Sequence, residues 1–504
     1  MSITGPGSVT AANLAAQTNM FTQLNKLSLQ LGTGEASQTY AGLGSQAGLA
    51  LSLSSQLAAL DAYSTTGTTI GTTLTLAQSV LTQLGDAGTA VQQSVNQQTT
   101  FTLDNNGQTS TQQSAASYLD QILSLLNTQA GDNYMFSGEA VDQPSVASTS
   151  DILNGNGAQA GLTQVMAERL QADQGASGLG RLVIPAPTGS TVSISEDAAG
   201  SPFGFKLASV SSSLTGATVT GPTGSPSSIS VALGSNPNSG DQIAFNLTLP
   251  DGSTQSITLQ ATSASPPGAN QFTIGATASA TASNLQAALS SAVSNLAQTA
   301  LPAASAIAAA NNFFSSDPPQ RVNGPPFDTA TSLVNGTSAN TVFWYTGENS
   351  ATPALQTATA QVGPTTTVAY GMRANEPAIS TLVANVAVLA AATYSASDPN
   401  AQTSYQALCQ SVTANLDGQP GTQTISDIEA NLANAQTTIA NAGTLNTQTQ
   451  STLQDMQQGI EGVDQNTIGE QILTLQNNLS ASLSVTARLA QLSLVNYLSA
   501  PTAG

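Results

Sequence analysis

Apolar residues recur at steps of three and four along most of the first and last quarters of the chain. From Leu49 they run through Leu53, Leu57, Leu60 and Tyr63, then Ile70, Leu74, Ala77, Leu81, Leu84, Val91 and Val95, which predicts one long helix with a single apolar stripe. An earlier stripe of Leu14, Phe21, Leu24, Leu27 and Leu31 ends at Gly32-Thr33-Gly34, where glycine permits a helix stop and a turn. A third helix is expected over Ala115, Leu119, Ile122 and Leu126, after the breaker Asp104-Asn105-Asn106-Gly107.

The strongest periodicity lies in the C-terminal third. Ile425, Ile428, Leu432, Ala435, Ile439 and Ala442, then Leu453, Met456, Ile460 and Val463, form a heptad seam that needs a partner helix. Polar Asn446 and Thr449 stand at seam positions, where such residues fix register. After Gly462 the stripe changes phase to Ile468, Ile472, Leu475, Leu479 and Leu483, then again to Val485, Leu489, Leu492 and Val495, which predicts a join between helical layers.

Between about 145 and 365 the period falls to two. Thr191 to Ser195 and Ile243 to Leu249 alternate as strands do, and Pro250-Asp251-Gly252 supplies a turn into Ser256 to Gln260, a β-hairpin. Ala282 to Ala310 is alanine-rich and helix-like, while Asp317-Pro318-Pro319 and Gly324-Pro325-Pro326 mark turns or linkers. The expected fold is α+β and multidomain, an elongated molecule whose long N- and C-terminal helices pack as an antiparallel helical or coiled-coil bundle, with a β-rich mixed insert in the middle. Neither terminal stripe can be buried alone, so the termini must return to one another. The expected domains are 1–45 with 465–504 as a terminal helical core, 46–145 with 370–464 as a bundle layer, and 146–369 as an outer insert, either single or divided into about 146–312 and 313–369.

Composition changes this picture in one respect. Over the 504 residues, charged side chains are 7%, against about a quarter in an ordinary soluble protein. A surface of Ser, Thr, Asn and Gln lacks the charge that keeps monomers apart, which suits packing against copies of the same chain. The net charge is −20, and the seven cations (Lys26, Arg169, Arg181, Lys206, Arg321, Arg373 and Arg488) are scattered singly, which argues against a nucleic-acid partner.

Candidate chemistry is sparse. Histidine is absent, and Cys409 is the lone cysteine, so no thiolate cluster for zinc and no intrachain disulfide is expected. Cys409 sits in a helical stretch (Tyr405, Leu408, Val412, Leu416) with no imidazole to activate it and reads as packing. Asp427, Glu429, Glu461 and Asp464 fall around an amphipathic helix and read as a solvated face. Asp104 to Gly107 lacks the spacing of a calcium loop, and Gly42, Gly44 and Gly48 lack that of a dinucleotide loop. No catalytic residue, cofactor or metal is expected, and the chain reads as not an enzyme. The first 14 residues hold neither a basic n-region nor an apolar h-region, so no cleaved signal peptide is expected. The greasiest stretches, Leu301 to Ala310 and Val383 to Ala392, fall short of the roughly 18 residues of a membrane span, so no membrane insertion is expected.

Four stretches carry a likeness to a known family. They are Leu27 to Gly34 followed by Gly48-Leu49-Ala50; Asn133-Tyr134-Met135-Phe136-Ser137-Gly138; Tyr370-Gly371-Met372-Arg373-Ala374-Asn375-Glu376; and Ala490-Gln491-Leu492-Ser493-Leu494-Val495-Asn496-Tyr497-Leu498. In order and placement they resemble the superfamily of bacterial flagellins and hook-associated protein 3, the hook-filament junction protein. The second and third resemble the end of the N-terminal helical region and the return into C-terminal helix in hook-associated proteins. The family's usual basic residue and paired aspartates near Gly34 are missing. The insert around Phe203 to Lys206 and Leu249 to Gly252 resembles an uncharacterised domain inside some alphaproteobacterial flagellar proteins.

The resemblance implies a structural subunit of the flagellar axial filament that self-assembles through its terminal helices for motility. The motifs at Tyr134 to Gly138 and Tyr370 to Glu376 favour the junction protein. The alternatives are the major filament flagellin and a secreted non-flagellar adhesin or surface-layer protein. It implies an extracellular place on the flagellum, type III export without a cleaved signal, a flagellar export chaperone, and as partners either copies of itself or the neighbouring hook-associated proteins and flagellin. The expected assembly contacts are Phe21, Leu24, Leu27 and Leu31 at one end, with Leu489, Leu492, Leu494, Val495 and Leu498 at the other.

Overall fold

A computed structural model describes residues 6–98, 100–418 and 420–498, with side chains over 11–98, 100–418 and 420–491. Among the described residues the α+β class holds, with ten α-helices and several small sheets, and with long helices at both ends. The helices are α1 (Pro6–Thr33), α2 (Ala47–Gln97), α3 (Ser110–Leu126), α4 (Thr149–Asn154) and α5 (Leu162–Gln174). They continue with α6 (Ala278–Phe314), α7 (Pro377–Ala391), α8 (Ala401–Leu416), α9 (Ile425–Glu461) and α10 (Gln465–Leu498).

Contacts divide the chain into two compact units. Met1–Ile70, Ala360–Val368 and Thr437–Gly504 make the smaller one; Gly71–Thr359 and Ala369–Gln436 make the larger. Both α2 and α9 contribute a stretch to each, and the β-rich insert shares its unit with the helices that flank it.

In the larger unit two four-stranded sheets share one core with α6. The first orders Gln271–Thr273, Thr254–Thr262, Gln242–Thr248 and Lys206–Ser212; the second orders Leu182–Val183, Thr191–Glu196, Ser228–Leu233 and Ala217–Thr223. The predicted hairpin is present, with Ile243 opposite Leu259 and Leu247 opposite Gln255. Gly252 turns it at a φ of 87°, which a residue bearing a Cβ resists. Period-two alternation buries Val192 and Ile194 on one sheet and Ile243, Phe245 and Leu247 on the other, all against Leu285, Leu289 and Val293 of α6. Each such side chain contributes about 1.5–3 kcal/mol by leaving water.

The greasy runs Leu301 to Ala310 and Val383 to Ala392 are helix buried but for half-buried Pro302, in the last third of α6 and in the C-terminal part of α7 with its cap Ala392. Pro302 lies inside α6 and has no N–H for the carbonyl of Gln298, one turn back. Ser404 of α8 supplies the missing donor, its Oγ lying 2.9 Å from that oxygen. Gln112, fully buried, completes a capping box with Thr109 at the start of α3, and its Nε2 donates to the carbonyls of Leu389 (3.1 Å) and Ala392 (2.7 Å) at the end of α7. The breaker before α3 is a turn in which Asp104 Oδ1 accepts from the backbone of Asn106 and Gln108, each at 2.8 Å.

In the smaller unit α1 stops where the glycines permit, with Gly34 at a φ of 75°. Residues Glu35 and Gly462 bridge there, and Val463 N donates to Gly34 O at 3.0 Å. The phase change read at Gly462 is a helix end and restart, because Asp464 Oδ1 and Oδ2 accept from Asn466 N and Thr467 Oγ1 at the start of α10. Leu53 and Leu60 of α2 pack with Leu453 of α9. Asn446 is 2% exposed as a seam position should be, but its Nδ2 donates to Val362 O at 2.9 Å, in the hairpin of Thr359–Gln361 with Thr367–Ala369, rather than to a facing helix. Thr449 is half-buried and donates within its own helix to Leu445 O.

Candidate functional site

The pairing of α1 with α10 includes a buried polar contact. Gln17 is the one buried side chain described on α1, and its Nε2 donates to Ser482 Oγ (3.3 Å) and Thr486 Oγ1 (2.8 Å) of α10. On α10 only Ile468 and Leu479 reach full burial, and the inward stripe then continues through Ser482 and Thr486. Leu483, the last residue of the first apolar stripe, and Val485 and Leu489, which the sequence sets out of phase with it, are exposed, Val485 at 53%. On α1, Leu14, Phe21, Leu29 and Leu31 are likewise exposed.

This pair reverses the ordinary arrangement only around Gln17, Ser482 and Thr486, since Met20, Leu24, Leu27, Ile472 and Leu475 are half-buried and Ile468 and Leu479 are buried. It also concentrates the chain's apolar surface, since thirteen of the seventeen exposed large apolar side chains among the described residues belong to the smaller unit.

Of the expected contact residues, Phe21, Leu31 and Leu489 are exposed, and Leu24 and Leu27 are half-buried. Leu492, Leu494, Val495 and Leu498 lie on α10 with side chains outside the described residues. Leu14, Leu29, Leu483 and Val485 are exposed on the same two helices; Leu14, Leu483 and Val485 were visible as stripe members but not as outward ones, because spacing gives a face without saying whether it is covered.

The second pair of motifs meets in the larger unit. Tyr134 to Gly138 and Tyr370 to Glu376 lie side by side: Ser137 and Arg373 form an antiparallel bridge, Gly138 N donates to Met372 O at 3.2 Å, and Ala374 N donates to Phe136 O at 2.8 Å. Arg373 is the hub. Its Nη1 donates to the carbonyls of Ser350 (3.1 Å) and Thr352 (2.9 Å), and its Nη2 to Glu348 Oε2 (2.5 Å) and Ser350 Oγ (3.0 Å). Burial alone would raise the Glu348 carboxyl, but the Ser350 hydroxyl and the Arg373 guanidinium outweigh it and hold Glu348 below its ordinary value. Glu376, at the start of α7, is raised by burial despite hydrogen bonds from Gln423 Nε2 and Arg373 N.

Arg169, Arg181, Lys206, Arg321 and Arg373 are each ion-paired with a carboxylate, and Cys409 is buried beside Tyr405 with its thiol raised by desolvation. Among the described residues no cluster of acidic or sulfur ligands is placed to hold a metal, and no helix is long and apolar enough to cross a membrane. Comparison with known proteins matches the chain to no family model and to no curated protein.

Proposed function

We propose that the chain is a structural subunit of the bacterial flagellar axial filament, of the flagellin and hook-associated class, and that it self-assembles through its terminal helices. The observation that carries this reading is the apolar surface left uncovered on α1 and α10, beside a polar contact at Gln17. Gln17, Ser482 and Thr486 face inward while Phe21, Leu31, Leu483 and Leu489 are left uncovered. In the assembled state these apolar side chains pack against neighbouring axial subunits, copies of itself or other hook-associated proteins and flagellin. Segments 1–45 and 465–504 then form a terminal core that orders fully on polymerisation. Segments 46–145 and 370–464 form an antiparallel coiled-coil layer of an elongated molecule, and 146–369 faces outward.

The junction type is favoured by the adjacency of the Tyr134 to Gly138 and Tyr370 to Glu376 motifs, which resemble the hook-associated proteins at both chain passages into the insert. A major filament flagellin is the second reading, favoured by an amide-rich surface with 7% charge that suits thousands of identical contacts. On either reading the subunit leaves the cell by type III export with a dedicated chaperone and acts outside it, with no catalytic role.

The test replaces Phe21 or Leu492 by Asp in cells that make the protein. An unpaired carboxylate in an apolar interface costs several kcal/mol. The expected result is that both variants are exported into the medium as monomers and are missing from sheared flagella. Incorporation at the wild-type level would overturn the assignment of these helices to assembly.

A further inference from the structure

Three consecutive aromatics, Phe343-Trp344-Tyr345, stand in a chain that is 4% aromatic. The segment around them is extended and held at both ends. Val342 N donates to Ala160 O at 3.0 Å, while Ala147 N donates to Trp344 O at 2.8 Å and Thr346 N to Ser145 O at 3.0 Å. Extended backbone sends alternate side chains to opposite faces. Val342 and Trp344 are accordingly buried, and the indole Nε1 is fixed on Phe314 O at 2.9 Å. Phe343 and Tyr345 take the other face and stay half-exposed.

That face walls a cleft of about 550 Å³, floored by the loop after α4 and edged by Asp317 and Asn349. The volume falls within the ordinary range of small-ligand sites, about 300–1,000 Å³. The lining holds no lysine or arginine, which disfavours phosphate, sulfate or carboxylate ligands. The carboxylates of Asp151 and Asp317 and the carboxamide of Asn156 make no hydrogen bond within the described residues.

From this arrangement we propose that the cleft beside Phe343 and Tyr345 binds a neutral saccharide. A sugar ring presents an apolar C–H face that stacks on an aromatic side chain and an equatorial rim of hydroxyls that donate and accept at once. Hydroxyls satisfy the acceptor carboxylates of Asp151 and Asp317 and the donor amide of Asn156 together. A cation takes oxygens alone, the carboxylates and Asn156 Oδ1, and leaves the Asn156 N–H donors without a partner. The inference is independent of the flagellar reading and gives the insert a ligand of its own, an uncharged glycan.

Trp344 is the single tryptophan and lies in the extended segment that carries Phe343 and Tyr345, on its buried face, so its emission reports on that segment from behind the cleft. The experiment titrates the purified full-length chain with maltotetraose, cellotetraose and chitotetraose, with tetralysine as the cationic probe. At least one neutral tetrasaccharide is expected to shift the emission saturably below about 10 mM. Phe343→Ala and the exposed-site variant Asn156→Ala are each expected to weaken it about tenfold or more, with unchanged circular dichroism. Failure of all three sugars, binding that both variants leave intact, or a response to tetralysine alone overturns the proposal. If Phe343→Ala does not fold, Asn156→Ala decides the matter alone.

Discussion

Replacing Arg373 by Met is the sharpest perturbation of the larger unit. The guanidinium is 7% exposed and makes four hydrogen bonds, two to backbone carbonyls, one to the Ser350 hydroxyl and one to the Glu348 carboxylate, itself 17% exposed. Breaking a buried ion pair costs about 3–5 kcal/mol, because the remaining charge stays desolvated. Two features move the value towards the lower bound. Ser350 is exposed, so water replaces part of what its oxygens lose, and Arg373 Nε has no partner in the wild type, so its removal ends an existing penalty. The expected loss is about 3 kcal/mol. Urea unfolding followed by Trp344 fluorescence measures it, since Trp344 lies in the same unit and is 2% exposed. Adding Glu348→Gln to the variant removes the stranded charge and is expected to return about 1–2 kcal/mol. Because the folded Glu348 value lies below the unfolded one, its contribution is fully present above about pH 4.3 and is lost as pH falls through the folded value. The wild-type advantage over the variant should shrink accordingly in acid. A loss under about 1 kcal/mol at neutral pH, or a difference unchanged in acid, would refute the view of Arg373 as the tie between the two chain passages.

Gln17→Ala removes both hydrogen bonds from α1 to α10 and is expected to lower protection of residues 11–33 in hydrogen exchange by about 1–3 kcal/mol, with the larger unit unaffected. Gly107→Ala places a Cβ 2.4 Å from the Tyr394 carbonyl oxygen at a φ of 75°, so a loss of about 1–3 kcal/mol in thermal or urea unfolding is expected. Phe21→Asp is expected to leave helix content by circular dichroism unchanged, because Phe21 is 47% exposed, while abolishing incorporation into the proposed axial structure.

Much of the helical frame was legible because burial follows spacing. Leu53, Leu60, Leu74, Leu81, Leu84 and Val91 of the predicted stripe are all buried on α2. Leu49 begins the same stripe yet is 49% exposed, and Met456 of the α9 seam is 48% exposed. A stripe records which residues share a face, and only the neighbours decide whether that face is covered. For the same reason the sequence shows on α10 only a shift of phase between Leu483 and Val485, without the inward turn of Gln17, Ser482 and Thr486. The hairpin partner of Asn446 was not legible either, since Val362 supplies a backbone carbonyl that any residue carries. The Phe343 to Tyr345 run was legible as composition, but its two faces depend on the segments that hold it.

The central claim is that this chain is built into the flagellar axis, and immunogold electron microscopy on cells carrying a tag in the insert tests it most directly. The account predicts label on the flagellum, as a single spot where hook meets filament for the junction subunit or along the whole length for the filament subunit. Label confined to the cell body, with none on flagella, would contradict it.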